Sequence, residues 1–449
     1  MELSKKRKSL GLLAYPIYFE LLAGVIAGII DIFWVAQLGS ASVAAVTVAT
    51  SLENVLLAII LIASAGTTVL ISRYLGNKDL SSIKSAVRDS WILWAVISLL
   101  VGGMGYVFRA EIASLFTSSE EKDTLILTTA FLAISFPGII IFYAQNMVDS
   151  IFKGYSNTKF PMQMALLSNL LILVLDPLFI YGWLGFPQLG VQGAALATVL
   201  GRTITLMIAL YTFYRSDIIK TLKQVEYGAK TRKNVKDILN IGLPMSGDFI
   251  ARMGSNMILI GLIGTFGVYS MAAYGIGTKI IVFITMFFYA VRQAASIQIS
   301  YQLGAGEGKS FHKIGKKVLW LGGTVGLLAG ILLLVLAPFL LRIFTNSEQV
   351  IQEGMIYLYY MSLYLLPLSL AVSIGGVFLG SGQSRTMFYV TLIGTAVTLL
   401  GAFTLPSFNN LYVHGIWISQ ILGVVVQAVV LLFLFQRGNA SIKSIALEG

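Results

Sequence analysis

The sequence predicts an all-α membrane protein: twelve transmembrane helices in two six-helix lobes, related by a parallel internal repeat. Three observations predict it: a composition too apolar for a soluble surface, twelve apolar stretches of spanning length, and a self-match at a shift of 228 residues.

Of 449 residues, 57% are hydrophobic and 11% charged, against roughly 25% charged in soluble domains. So little charge cannot coat a globule in water, and lipid is the solvent that suits it. The 44 glycines agree, because small residues let membrane helices approach closely. There is no cysteine, so disulfides and thiolate metal sites are excluded, and His312 and His414 alone leave little for a histidine site. The net charge of +11 would suit nucleic acid or anionic lipid. Its basic residues instead lie in short segments between apolar runs, the pattern of topology signals, and nucleic acid is excluded as a partner. Lys5-Lys6-Arg7-Lys8 precede an apolar run that continues to about Leu38. That run is too long for a signal peptide and carries Glu20 and Asp31, so it is read as the first span.

A span needs about 20 mostly apolar residues. Twelve stretches qualify, beginning near residues 10, 43, 89, 125, 160, 190, 238, 270, 317, 351, 385 and 411. With the N-terminus inside, internal segments hold 24 of the 31 Lys and Arg residues. External loops hold three (Arg109, Lys122 and Arg342) and spans hold four (Arg202, Arg252, Lys279 and Arg292). The positive-inside rule then predicts a multi-pass protein of the inner (plasma) membrane with both termini cytoplasmic. The hydrophilic insert 216–236 is expected to link an N-terminal lobe, 1–215, to a C-terminal lobe, 237–449.

At the 228 shift, Pro16 falls on Pro244, Glu20 on Asp248, Gly39 on Gly267, and Leu75-Gly76 on Leu303-Gly304. Later the shift becomes 226, placing Phe152-Lys153-Gly154 on Phe378-Leu379-Gly380. Six spans separate equivalent points, so the halves share one membrane orientation. Parallel repeats of this kind support alternating access in transporters.

Ionised side chains are costly in hydrocarbon, roughly 2.5–3.5 kcal/mol each at the bilayer centre by insertion scales. The spans contain Glu20, Asp31, Glu53, Asp149 and Asp176 in the first half but Asp248 alone in the second, beside Arg252, Lys279 and Arg292. The repeat is symmetric in shape and asymmetric in charge, as a coupling site in one lobe requires. Asp31 lies deep in its span and its repeat partner is Leu259. Asp176 precedes Pro177, which removes a backbone donor and leaves a carbonyl for an ion. A carboxyl withdrawn from water gives up its proton less readily, which suits a proton carrier. Phe142, Asn146 and Asp149 share one helical face and are candidates to line a substrate cavity. Thr198, one turn after Ala194, could complete an ion site.

The run Pro16, Asp31-Ile-Phe-Trp-Val-Ala-Gln-Leu-Gly39 and Ala44-Ala45 resembles the first two helices of the multidrug and toxic compound extrusion (MATE) family. Leu175-Asp176-Pro177-Leu178-Phe179-Ile180-Tyr181-Gly182, Gly193-Ala194-Ala195-Leu196-Ala197-Thr198 and Gln302-Leu303-Gly304-Ala305-Gly306 are similar to its later helices. The DinF-like branch fits best, with its helix 1 and helix 5 acids both in the first lobe. The resemblance implies a non-enzymatic antiporter without cofactors. It would export amphipathic, often cationic, organic compounds in exchange for H⁺ or Na⁺, and a monomer is expected. It implies that Asp31 and Asp176 bind the coupling cation, and would be the metal ligands if the ion is Na⁺. Thr198 and the Ala194 carbonyl are implied as further contacts, and Pro16 as a conformational hinge. The branch usually has asparagine four residues before the helix 5 aspartate; here that position is Ile172, with Asn169 a turn away. Losing an oxygen ligand handicaps Na⁺ more than H⁺, so H⁺ is favoured. Two rival readings remain. One is a lipid-linked saccharide flippase using Arg252, Lys279 and Arg292 for pyrophosphate; the other is an intramembrane enzyme, which lacks a nucleophile–base set. No Gly-x-x-x-x-Gly-Lys-Ser/Thr phosphate loop appears, the glycine-rich run Gly304–Gly308 falling short of it.

Overall fold

A computed structural model of the chain describes residues 9–116, 122–226, 231–308, 310–408 and 411–437. The basic run 5–8, Lys230, Lys309 and Lys443, all counted above among the internal bases, lie outside the described residues. Among the described residues, twelve long helices follow one another. The first half comprises α1 (Leu10–Val35), α2 (Ser40–Gly76), α3 (Leu80–Val107), α4 (Lys122–Gly154), α5 (Lys159–Tyr181) and α6 (Val191–Arg215). The second comprises α7 (Thr231–Gly264), α8 (Val268–Gly304), α9 (Ser310–Phe344), α10 (Glu348–Gly380), α11 (Ser384–Thr404) and α12 (Val413–Arg437). Among the described residues there is no strand. Eleven of the twelve are long and apolar enough to cross a membrane; α7, interrupted by Asp248 and Arg252, is the exception.

Helix starts differ from the sequence expectation where polar turns precede the apolar run. Helix α3 begins at Leu80 rather than near 89, because Asp79 caps it, accepting from the Ser82 amide at 3.0 Å and the Ser82 hydroxyl at 2.6 Å. The α1–α2 and α7–α8 connections turn at Gly39 and Gly267, with φ of 104° and 116°. Only glycine adopts these angles readily, which explains why the repeat keeps it at both places.

The chain forms two compact units. The first is residues 19–246, and the second is residues 1–18 with 247–449. Helices α1 and α7 therefore each contribute to both. In the first unit, one apolar cluster gathers Leu70, Ile83, Met147, Ile151, Phe160 and Ile238, and another gathers Val46, Phe131, Phe136, Tyr143, Ile180 and Ala195. The first turns of α7 reach this unit because glycines let backbones touch. A Cβ at Gly242 would stand 1.8 Å from the Ile62 carbonyl oxygen, and one at Gly66 2.4 Å from that of Ile238. Gly242→Val should thus destabilise the protein by about 1–3 kcal/mol or more. Gly254→Val, where nothing lies within 4 Å, should not. Thermal unfolding of the two purified variants checks this. Within 216–236, residues Asp217–Lys223 form a short helix whose Ile218 and Leu222 are buried in the first unit's core.

In the second unit, Gly322, Gly326 and Gly330 form a stripe on α9. Added Cβ atoms there would stand 2.5 Å, 2.1 Å and 2.6 Å from Ser373, Ser369 and Ser362 of α10. This is small-residue packing of the kind that holds membrane helices. On another face of α10, Gly376 meets the carbonyl oxygen of Arg292 on α8, 2.1 Å from a built Cβ. That contact fixes where the Arg292 side chain starts.

Candidate functional site

The first unit brings Asp31 of α1 and Asp176 of α5 together. Both are buried, Asp176 completely, and their carboxyls lie within electrostatic reach of each other. Neither oxygen of Asp176, nor Oδ1 of Asp31, meets a donor from the rest of the described residues. Buried polar atoms are nearly always partnered, so a group of unmet acceptors is what a small cation or a proton would complete.

Local structure holds the pair in place. Gly193 on α6 lies against the backbone of Phe179, 2.3 Å from its carbonyl oxygen to a built Cβ, which draws α6 onto α5 beside Asp176. Helix α5 ends at Gly182 in a left-handed turn, φ 75°. The preceding Tyr181 donates its hydroxyl to the carbonyl of Trp34, one turn beyond Asp31. The rings of Trp34, Tyr181 and Trp183 pack edge-on or tilted at 6.0–6.1 Å, covering that end of the two helices.

Thr198 on α6 is buried and its hydroxyl is unpartnered. Buried threonines elsewhere donate to the carbonyl four residues back, as Thr67 and Thr205 do; Thr198 does not donate to Ala194, itself fully buried. Thr198 lines a cavity of about 20 Å³ with Glu53, Leu56, Ser135, Phe142 and Arg202, which is room for about one water. Glu53 accepts from Ser135 at 3.1 Å and lies 3.9 Å from Arg202, whose guanidinium sits 4.5 Å from the centre of the Phe142 ring. Glu53 and Arg202 are both within electrostatic reach of Asp31.

The α4 face expected to act together is divided. Phe142 belongs to the Arg202 cavity. Asn146 turns its amide back to the Phe142 carbonyl at 2.9 Å. Asp149 accepts from Gln145 at 3.0 Å and interacts with Glu20 and Lys153. Lys153 pairs with Glu20 at 2.6 Å, with both side chains largely buried. Asn169, a turn from the position held by Ile172, donates to the Ala23 carbonyl at 2.5 Å. It ties α5 to α1 about 10 Å along the helix from Asp176. Pro16 lies in α1, two residues before the limit of its second-unit portion.

In the second unit the acid is neutralised. Asp248 accepts from Arg252 at 3.2 Å, Arg292 at 3.0 Å and Thr391 at 2.5 Å; Arg252 also reaches Thr391 and Gln427. Lys279 is exposed and is not among Asp248's partners. Two of the three bases that a pyrophosphate would need are therefore engaged. Sequence reasoning missed Lys153, treated there as a loop residue, and gave Arg202 no role. Lys153 had a signal: its repeat partner is the buried Leu379.

Twelve long helices in repeated halves, eleven of them apolar enough to cross a membrane, with acids buried in one unit that lack donors, define a polytopic membrane transporter. The MatE family model matches twice, over residues 16–178 and 244–404. The two matches start 228 residues apart and end 226 apart, the spacing of the internal repeat. The chain belongs to the MatE family, whose members are transporters and not enzymes. It is 27% identical over 421 residues to an uncharacterised transporter, YisQ, of Bacillus subtilis, covering 93% of this chain and 91% of that protein. It is 24% identical to a probable multidrug resistance protein, NorM, of Thermotoga maritima, covering 98% and 94%. A solved structure of a MATE transporter in an outward-facing conformation superposes with TM-score 0.88 at 21% identity, over 97% of this chain and 96% of that one.

Proposed function

We propose that this chain is a cation-driven multidrug efflux antiporter of the inner (plasma) membrane, with both termini cytoplasmic and H⁺ as the coupling ion. One observation carries the reading: Asp31 and Asp176 are buried within electrostatic reach of each other, and both oxygens of Asp176 and one of Asp31 meet no donor among the described residues. Two carboxylates repel each other in a medium of low dielectric constant. One proton or monovalent cation relieves that repulsion, so the pair has two distinct charge states to couple to opening on either side of the membrane. The name of the Thermotoga relative supports an organic, multidrug cargo. The α4 residues Phe142, Asn146 and Asp149 are the proposed substrate contacts, and a single chain suffices.

H⁺ is preferred because the oxygens offered near the pair are few. Ile172 supplies none, and the Asn169 amide is occupied at Ala23. Thr198, and the Ala194 carbonyl behind it, would be the remaining ligands for Na⁺. Pro16, which lacks an amide hydrogen within α1, is the proposed point of bending.

Dye export from proteoliposomes, under H⁺ and Na⁺ gradients imposed separately, tests the proposal. Export under the H⁺ gradient alone is expected. Export driven by Na⁺ alone overturns the ion assignment, and no export under either gradient overturns antiport. Thr198→Val should leave H⁺-driven export within about twofold, because a proton needs one base and no hydroxyl ligand. A tenfold loss in this variant would instead place Thr198 in the ion site.

A further inference from the structure

We propose that the second unit carries a binding site for a hydroxylated phosphodiester headgroup, such as phosphatidylglycerol, where α8 turns into α9. The site is a cavity of about 240 Å³ lined by Gln298, Gln302, Glu307, Ser310, Lys313 and Lys317, with Ile314 as its apolar wall.

The internal repeat shows what is unusual here. In the first unit the corresponding place is filled. Tyr74 donates to Asn234 at 2.8 Å, and Asn234 donates to Asp89 at 3.1 Å; Asn234 and Asp89 are fully buried. At the same spacing of 228, Tyr74 becomes Gln302, Ser85 becomes Lys313 and Asp89 becomes Lys317. The acid has become a base. The framework is kept: as Asp79 accepts from Ser82, so Glu307 accepts from Ser310, at 3.0 Å.

Gln302 is the second, independent sign of a ligand. It is 5% exposed, lines the cavity, and its Oε1 has no partner. An acceptor left bare in a buried place calls for a donor. Lys313 and Lys317, exposed and one helical turn apart on α9, line the same cavity. Against them stands one carboxylate, Glu307, so the site has a surplus positive charge. The ligand must therefore bring an anion for the lysines and a hydroxyl for Gln302. A phosphodiester with a glycerol head has both, whereas a zwitterionic head cancels its own charge. Basic pockets at the ends of membrane helices are where anionic headgroups bind. The run Gly304–Gly308 opens the loop, but Leu303 stands where a nucleotide-binding loop needs its first glycine.

Native mass spectrometry of the full-length protein in detergent tests the site, with phosphatidylglycerol, phosphatidylethanolamine and free glycerol 3-phosphate as probes. One phosphatidylglycerol should be retained preferentially. Its affinity should fall about 30-fold in the Lys313→Gln/Lys317→Gln double variant, the combined effect of two lysines near an anion. It should hold in Lys316→Gln, which keeps a similar surface charge outside the cavity. Gln302→Leu should weaken phosphatidylglycerol and leave any phosphatidylethanolamine binding unchanged. Displacement by glycerol 3-phosphate would identify the headgroup chemistry as sufficient; lipid binding without such displacement would identify the lipid as the source. Equal retention of phosphatidylethanolamine, or undiminished binding in the double variant, overturns the site. Unchanged melting temperatures without lipid exclude misfolding as the cause of any loss.

Discussion

Asp31→Asn and Asp176→Asn should each reduce ion-driven dye export at least 100-fold, to the background of empty liposomes. Asparagine matches aspartate in size and can hydrogen-bond the remaining carboxyl, so the helices should still pack. What it cannot do is take up and release a proton or offer a charged oxygen to a metal ion. With one partner replaced, the pair no longer alternates between a repelling and a relieved state, and nothing links the ion to the cycle. Melting temperatures within a few degrees of the parent would separate this loss from unfolding. Glu53→Gln is the informative neighbour: Glu53 is already held by Ser135 and flanked by Arg202, so its loss should slow export without abolishing it. Full export in either aspartate variant refutes the assignment of the pair.

Asp248→Asn should have the largest effect on stability. Its carboxylate neutralises Arg252 and Arg292 inside the second unit, at 3.2 Å and 3.0 Å. Removing one member of a buried ion cluster strands the others and costs about 3–5 kcal/mol. In detergent this corresponds to a drop in unfolding temperature on the order of 10 °C. The triple replacement Asp248→Leu/Arg252→Met/Arg292→Met removes all the charge at once. It should recover most of the loss, because the desolvation penalty disappears with the interaction. A stability change below about 1 kcal/mol in Asp248→Asn would mean that the arginines find other partners.

Most of the architecture was legible because the bilayer imposes a simple rule, a run of apolar residues for each crossing. The family match then reproduced the repeat register. What hydropathy did not reveal were polar helical turns at helix starts, such as Leu80 to Arg88, where capping at Asp79 begins the helix before the apolar run. The acids in the spans were legible as costly, but not which of them were compensated. Asp176 is a lone acid in an apolar stretch, whereas Asp248 has Arg252 one helical turn further on. Three-dimensional neighbours complete the contrast, and most are remote in the chain: Arg292 and Thr391 join Arg252 at Asp248, and Asp31 lies near Asp176. Lys153 shows how more could have been read. Comparison of the halves sets it against Leu379, just as it sets Asp31 against Leu259, and both substitutions put charge where the sister position is buried and apolar.

In the proposed antiport, a pair of acids that takes up one positive charge would also set the electrical character of the exchange. For each cycle that carries a neutral cargo, one elementary charge moves through the membrane potential, worth roughly 2.3 kcal/mol per 100 mV. That sustains roughly a 50-fold gradient of cargo. For a monovalent cationic cargo exchanged one for one with H⁺, no net charge crosses. Such a cycle should be blind to voltage and respond to the pH difference alone, so the charge on the drug, rather than any change in the protein, would decide whether export is electrogenic.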